Sequence, residues 1–321
     1  MHLLTRIKRR LLVSPPSKLV IRKSKKIFLP GFQRIPLFDV VGFFFQQAQR
    51  SGFTERASAI AYNFIMTIPP TVIFLFTLLP YLPIPKDFIQ EMFTLIKDVV
   101  PGEKNNEGLI KFLSDILNNQ RTALLSTGFL LAMFFSSNAV MGIMRSFNKN
   151  YVGFRKRKTF ATRWVAIRLT FILFLLFFAT IITLIMQGAV LRWLGITNKT
   201  LIWLIVNFKW VVIVLLFFFS ISFIYRYAPA VHKRWKFISP GSILATFLMI
   251  IFTAGFSYWV NNFSRYNELY GSISTLLILM LLIYFNSLVL LIGFELNVSI
   301  NSLKHQVDER NKNLAGGIHS L

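Results

Sequence analysis

Few side chains in this 321-residue sequence have the types and spacing that catalysis requires. The four histidines show no ligand spacing, and there is neither a His-Glu-x-x-His motif nor any cysteine, so the usual zinc ligand sets are missing. A phosphate-binding loop of the type Gly-x-x-x-x-Gly-Lys-Ser/Thr is also missing. The sequence therefore predicts no catalytic residue, no metal and no cofactor, and it does not indicate an enzyme.

One carboxylate stands out because it lies at the edge of a long apolar segment. A charged group at membrane depth is costly and normally finds a partner, so we expect Glu295 to be ionised and paired with an arginine. The expected partner is Arg56 or Arg145 before Arg226. The pair is either a structural ion pair or part of a coupling or gating device, and the sequence leaves both open.

Other polar residues also interrupt apolar segments. Asparagines at membrane depth usually join helices, although each could instead contact a ligand. Lys209 either lines a polar cavity or extends to the membrane interface. Two adjacent prolines should kink or end the first apolar helix. The candidate pathway or helix-coupling residues are Arg56, Asn63, Pro69, Pro70, Asn138, Arg145, Lys209, Arg226, Tyr270, Gly271, Asn286, Glu295 and Asn297.

These residues lie in or beside six long apolar segments. A helix rises 1.5 Å per residue, so about 20 residues cross a hydrocarbon core of about 30 Å. The sequence thus predicts an all-α, polytopic membrane protein with six transmembrane helices. The segments are 57–79, 123–144, 166–187, 201–224, 240–260 and 271–294.

The charges alternate between the connecting segments. Twelve basic and two acidic residues precede the first span, and the loops after spans two and four hold seven and four basic residues without an acid. The loop after span one has six acids to five bases. Basic segments stay in the cytoplasm, so both termini are expected inside, and the net charge of +24 reflects topology rather than nucleic-acid binding.

Part of this charge forms a rim that we expect to meet anionic lipid head groups at the cytoplasmic face. Membrane lipids are therefore the expected partners. The rim residues are Arg155, Lys156, Arg157, Lys158, Lys233, Arg234 and Lys236.

Three regions flank or interrupt the spans. Residues 1–36 form a basic cytoplasmic arm, 37–297 the transmembrane domain, and 298–321 a cytoplasmic tail. Within the domain, the apolar spacing of 37–50 predicts a helix in the membrane interface. Two amphipathic stripes within 86–118 predict an external helical hairpin, which either caps the bundle or docks an extracytoplasmic protein.

Several short motifs occur in a fixed order. They are Arg56-Ala57-Ser58-Ala59-Ile60-Ala61-Tyr62-Asn63-Phe64 with Ile68-Pro69-Pro70, then Tyr225-Arg226-Tyr227-Ala228-Pro229, Pro240-Gly241-Ser242, Tyr270-Gly271-Ser272 and Gly293-Phe294-Glu295-Leu296-Asn297. Together they resemble the signatures of the YihY/virulence factor BrkB family. The resemblance implies a bacterial inner-membrane protein with six helices and cytoplasmic termini. Members are often labelled ribonuclease BN, and others are linked to serum resistance and to the movement of envelope lipids.

Three functional hypotheses follow from the sequence. The first is a transporter or accessory channel for a lipid or another amphipathic envelope molecule, without its own nucleotide hydrolysis. The second is a non-catalytic membrane scaffold for envelope assembly. A membrane-bound ribonuclease ranks last, because the cytoplasmic carboxylates and histidines do not form a metal site or an acid-base pair. A homo-oligomer is compatible with all three.

Overall fold

The computed structural model describes residues 31–32, 35–50, 52–81, 111, 114–115, 121–148, 151, 154–155, 157–193, 199–231, 234–263 and 273–318. These residues are almost entirely helical, and the predicted all-α class is confirmed. The helices are α1 Leu37–Arg50, α2 Phe53–Ile65, α3 Ile68–Leu78, α4 Thr122–Phe147, α5 Thr159–Trp193, α6 Lys199–Tyr227, α7 Pro240–Phe263 and α8 Ile273–Ile318. A short 3₁₀ turn, Leu79–Tyr81, follows α3.

Six helical segments among the described residues are long and apolar enough to cross a membrane, which confirms the predicted number of spans. The first span consists of α2 and α3, because Pro69 and Pro70 occupy the first turn of α3 and cannot continue the hydrogen bonds of α2. The predicted interruption is therefore present. The predicted external hairpin, 86–118, lies outside the described residues except for 111 and 114–115.

The six spans pack as a ring. The principal contacts join the first span to α4, then α4 to α5, α5 to α6, α6 to α7, α7 to α8, and α8 back to α2. The described residues of segments 145–158 and 226–236, both rich in Lys and Arg, lie at the same end of this ring, where Phe154 and Val231 form an isolated β-bridge. We call this the basic end.

The interfacial helix and the tail are both attached to α8. Helix α1 packs on α8 through Val40, which contacts Ile300 in a small core with Phe32 and Ile35. Val41 and Phe45 on the predicted apolar stripe instead remain exposed, as suits a helix at a membrane surface. The last span and the tail form one continuous helix, so no helix end marks the boundary drawn at residue 297.

Near the basic end, all six spans share one packed core. One buried cluster there takes residues from all six spans, from Ala57 and Ile60 of α2 to Phe294 and Val298 of α8. Farther from this end, the described residues 171–183, 207–220, 250–260 and 276–286 of the last four spans include no buried side chain.

Two separate aromatic clusters lie farther from the basic end. Phe74 of α3 contacts Phe129 of α4 and Phe174 of α5, with ring centroids 5.4 and 6.3 Å apart. On the other side, Phe252 of α7 contacts Phe285 of α8 at 5.0 Å. The helices are thus joined in one core at the basic end and in separate groups beyond it.

Candidate functional site

The most distinctive polar site is an ion pair between the first and last spans. The Nη1 atom of Arg56 lies 2.5 Å from Oε1 of Glu295, and the two side chains are 6% and 0% exposed. The hydroxyl of Tyr151 donates to the same carboxylate oxygen at 2.5 Å. The predicted pairing of Glu295 with an arginine is therefore present in the structure, and the arginine is Arg56.

Local backbone geometry brings Arg56 to this position. Gly52 adopts a left-handed conformation with φ of 58°, which turns the chain between α1 and α2. Its carbonyl accepts the first helical hydrogen bond from the amide of Arg56, so the arginine sits in the first turn of α2. Because α2 packs along α8, that first turn faces Glu295.

The ion pair is buried beside a cluster of aromatic rings. Phe294, the neighbour of Glu295, stacks on Phe147 of α4 with ring centroids 3.8 Å apart. Tyr225 of α6 and Trp235 of the loop after α6 also contact Phe294, with ring centroids 6.4 and 5.5 Å away. This burial strengthens the attraction between the charges, but it also makes an unpaired charge costly.

The crossing of α7 and α8 adjoins the same site. A Cβ atom built on Gly293 would lie 2.5 Å from the carbonyl oxygen of Gly241, and one on Gly241 would be closer still to the oxygen of Gly293. Asn297 fixes this crossing: its Oδ1 accepts from the amide of Gly241, and its Nδ2 donates to Ser239 Oγ, both at 2.9 Å. The two helices therefore touch through their backbones.

Hydrogen bonds join the two basic loops, which are the described residues of segments 145–158 and 226–236. The amide of Arg155 donates to Ala230 O at 2.8 Å, and the amide of Ala230 donates to Asn148 Oδ1 at 2.9 Å. Burial, followed by the neighbouring positive charges of Arg155 and Arg234, lowers the pKa of the Arg157 guanidinium below its usual value. Arginines of the predicted rim are thus held close together.

The sequence as a whole is similar to a known family of proteins. A sequence model of the family described as Virulence factor BrkB matches residues 44–316, which includes all six spans. The chain belongs to the virulence factor BrkB family. The family predicted from the motifs is therefore confirmed, and those motifs that lie in the described residues largely meet at the basic end.

Two kinds of relative of this chain are informative. A putative ribonuclease-like protein, YfkH, of Bacillus subtilis is 27% identical over 261 residues, covering 79% of this chain and 92% of the relative. UPF0761 membrane proteins of Xanthomonas campestris and Xanthomonas axonopodis are 37% identical over 89 residues, covering 28% of this chain and 21% of each relative. No solved structure matches the chain.

The polar span residues of this BrkB-family chain each have a separate partner. Asn138 accepts a hydrogen bond from Arg163 at 2.5 Å, which joins α4 to α5. Asn286 bonds Thr253 at 3.4 Å and so joins α8 to α7. Asn63 donates to Ala59 O in its own helix at 2.6 Å, and the Lys209 ammonium lies 5.6 Å from the ring centre of Trp210.

The remaining candidate residues are placed as follows. Arg145 is exposed in the last turn of α4, so it is not the partner of Glu295. Arg226 stacks beside Tyr227, with 5.7 Å from its Cζ to the ring centre. Lys158 and Lys236 are exposed. The candidates Lys156, Lys233, Tyr270 and Gly271 lie outside the described residues.

Three residues of the site were not predicted. Tyr151 is separated by 144 residues from the carboxylate it bonds, and no spacing in the sequence links them. Arg163 and Arg168 lie in the first turns of α5. The sequence marked Arg163 only as one charge of a basic loop, and it gave no prediction for Arg168. A helical projection of α5 would have shown Arg168 beside apolar residues. In the part of the chain that the structure describes, no three His, Cys, Asp or Glu residues form a group that could hold a metal.

Proposed function

We propose that this BrkB-family chain is a multi-pass protein of the bacterial inner membrane, with both termini in the cytoplasm, that moves a lipid or another amphipathic envelope molecule. It acts as a transporter or as an accessory channel, and it has no nucleotide-hydrolysing or other catalytic site of its own. The basic end then faces the cytoplasm, in keeping with the distribution of Lys and Arg.

The uneven packing of the bundle is the observation that carries this proposal. Beyond the basic end, large apolar residues on several spans are exposed, including Leu175 at 55%, Trp210 at 59% and Tyr258 at 65%. Helices in a membrane gain little hydrophobic energy from burying such residues against each other, because lipid chains are equally apolar. Acyl chains can therefore enter between these spans without breaking a packed core.

The sealed basic end supports the same function. The core of Phe147, Tyr225 and Phe294 closes the bundle there, and the ion pair of Arg56 and Glu295 lies within it. A closed end, together with described residues of α5 to α8 farther along that bury no side chain, suits a membrane protein that admits lipid laterally without leaking ions. An open ion pore would instead need a continuous polar lining.

The ribonuclease-like name of the Bacillus relative does not extend to this chain in our proposal. An RNA-cleaving site needs a metal centre or a positioned acid and base facing the cytoplasm. The buried carboxylate of the basic end, Glu295, is already engaged by Arg56 and Tyr151. Its surroundings are aromatic and closed, so they do not provide access for an RNA backbone.

A scaffold for envelope assembly is the second candidate. The same exposed spans could pack against a protein partner or a second copy of the chain. A scaffold would hold its partner without changing the distribution of lipid between leaflets. Lipid movement therefore separates the two functions.

The test uses the purified full chain in vesicles that contain acyl-labelled fluorescent phosphatidylglycerol. A membrane-impermeant reductant destroys the label in the outer leaflet only. We expect vesicles with the protein to lose more fluorescence than the outer leaflet holds, because labelled lipid crosses from the inner leaflet. The variant Glu309→Gln, altered on an exposed surface, should behave like the original protein.

Two controls make this test decisive. Vesicles with heat-denatured protein should lose only the outer-leaflet share, and a trapped soluble dye should stay protected, which excludes leakage. If vesicles with folded, correctly inserted protein also lose only that share, lipid movement by this chain is refuted and the scaffold hypothesis stands.

A further inference from the structure

A cavity of about 330 Å³ lies at the basic end, between α5, α6 and the two basic loops. This volume is within the range of about 300–1,000 Å³ that is usual for small-ligand sites. Five arginines line it: Arg155, Arg157, Arg168, Arg226 and Arg234. No carboxylate lines it among the described residues.

Such a group of like charges is unfavourable unless something compensates it. Like charges repel, and the repulsion grows as water is excluded. Burial and, after it, the positive charges of Arg155 and Arg234 lower the pKa of Arg157. The buried acid of the basic end cannot compensate it, since Glu295 is paired with Arg56. The cavity is thus built to attract an anion.

The guanidinium groups still have donors to offer. Among the described residues, Arg157 makes two long hydrogen bonds, 3.5 Å to Ala228 O and 3.4 Å to Pro229 O. The Nε atom of Arg226 is buried and has no hydrogen-bond partner among the described residues. The side chains of Arg226 and Arg234 are positioned by the ring of Tyr227, 5.7 and 5.1 Å from its centre. Guanidinium groups held in this way can donate paired hydrogen bonds to the oxygen atoms of a phosphate.

Apolar side chains also line the cavity. They include Val165, Leu169 and Ile172 on successive turns of α5. Arg168 lies on the same helix, near the start of the apolar span. A ligand in this cavity would therefore meet both guanidinium groups and hydrocarbon.

We infer that this cavity is a binding site for a phosphate-bearing group, and that the group is the head of an anionic phospholipid. The phosphate site follows from the arginines themselves, whereas the lipid as its source rests on the proposed function. A nucleic acid would need an open basic track along its backbone rather than a confined cavity partly lined by apolar side chains.

The test is equilibrium binding to the full chain in an uncharged detergent. The probes are dihexanoyl phosphatidylglycerol, glycerol phosphate and inorganic phosphate. The double variant Arg168→Gln/Arg226→Gln should bind the short-chain lipid at least about tenfold more weakly, since charge-assisted hydrogen bonds to arginine are lost. Arg145→Gln, which removes one positive charge from the last turn of α4 outside the cavity, should bind like the original protein.

The other outcomes each decide the inference. Tight binding of the short-chain lipid with much weaker binding of glycerol phosphate and inorganic phosphate supports the lipid as source. Equal binding of all three supports the phosphate site and assigns it to a free phosphate instead. Equal losses in the double variant and in Arg145→Gln, or no loss in either, would show only general attraction to a basic surface and would overturn the site.

A replacement variant and an RNA competition complete the test. If the double variant does not fold, Arg155→Gln/Arg234→Gln replaces it, because both arginines are exposed and their loss should leave the packing intact. A short RNA that displaces the lipid and binds more tightly, with the same sensitivity to the double variant, would overturn the inference in favour of nucleic acid. No lipid crosses a membrane in this assay, so its outcome is independent of the vesicle test.

Discussion

At the scale of single residues, the buried cluster of Arg56, Glu295 and Tyr151 joins the first span to the last. Two donors converge on one carboxylate oxygen, while the other oxygen, Oε2, is buried without a hydrogen bond among the described residues. An ion pair of this kind adds little net stability compared with apolar residues, but loss of one partner is expensive. The pair therefore specifies how α2 meets α8 more than it stabilises the fold.

Glu295→Gln should lower the free energy of unfolding by about 3–5 kcal/mol, because the Arg56 charge stays buried without its counterion. Adding Arg56→Met should restore part of that loss. Thermal unfolding in detergent, followed by tryptophan fluorescence, measures both effects. The control Glu309→Gln, at an exposed carboxylate 3.3 Å from His305, should change stability by less than about 0.5 kcal/mol.

The alternative role of Glu295 gives the reverse pattern. A carboxylate that gates or couples movement would leave stability nearly unchanged in Glu295→Gln while lipid movement is abolished. A stable and fully active Glu295→Gln protein would contradict both the structural and the coupling role.

At the scale of elements, the crossing of α7 and α8 is the closest helix contact of the site. Gly241 and Gly293 leave no room for a side chain, since each faces the other's backbone. Backbone atoms cannot swing aside as a flexible side chain can, so a methyl group must separate the helices. The separation would also disturb Asn297, which bonds across the crossing.

Gly293→Ala should therefore destabilise the protein by about 3 kcal/mol or more, through overpacking of this contact. Gly255→Ala is the matched control in α7, because its added methyl group would meet nothing within 4 Å. The control should be neutral or stabilising by up to about 1 kcal/mol, since alanine favours a helix. Equal melting temperatures for the two variants would show that the helices do not cross as closely as described.

The elements also show which parts of the fold the sequence could predict. Apolar length located the six spans, and Pro69 with Pro70 located the break in the first, because both effects are local. The contact of Tyr151 with Glu295 depends on how distant helices pack, and no local pattern records it. For the same reason the asparagines were placed within spans correctly, while their separate partners, such as Arg163 for Asn138, were not evident.

At the scale of the whole molecule, orientation is the first property to test. The chain has no cysteine, so single cysteines can be introduced without background. We predict that Lys158→Cys and Lys304→Cys are labelled only from the cytoplasmic side, and Thr122→Cys only from outside, because basic segments are retained in the cytoplasm. Membrane-impermeant maleimide applied to intact cells and to inverted vesicles measures this. Labelling of Lys158→Cys in intact cells would contradict the proposed orientation.

Charge patterning could predict that the rim is basic, but not that it encloses a cavity. Arg155, Arg157 and Arg234 come together because the two loops pair through Phe154 and Val231, a contact between segments far apart in sequence. Arg168 joins them from within an apolar span, where it gave no separate signal. The sequence also could not predict which parts of the spans are buried in the bundle, since the spans are apolar along their whole length.

The central claim is that the spans are packed at the basic end and open to lipid beyond it, and nitroxide scanning of α6 tests it most directly. Single spin labels at positions 211–214 and 221–224 cover one turn in each half, and collisions with dissolved oxygen report contact with lipid. We predict higher accessibility at 211–214, where Val211 and Val214 are exposed and no side chain is buried, and clear minima at Ile221, Ser222 and Ile224, which are buried. A minimum at 211–214 as deep as that at Ile221 and Ser222 would show a fully packed bundle and contradict the account.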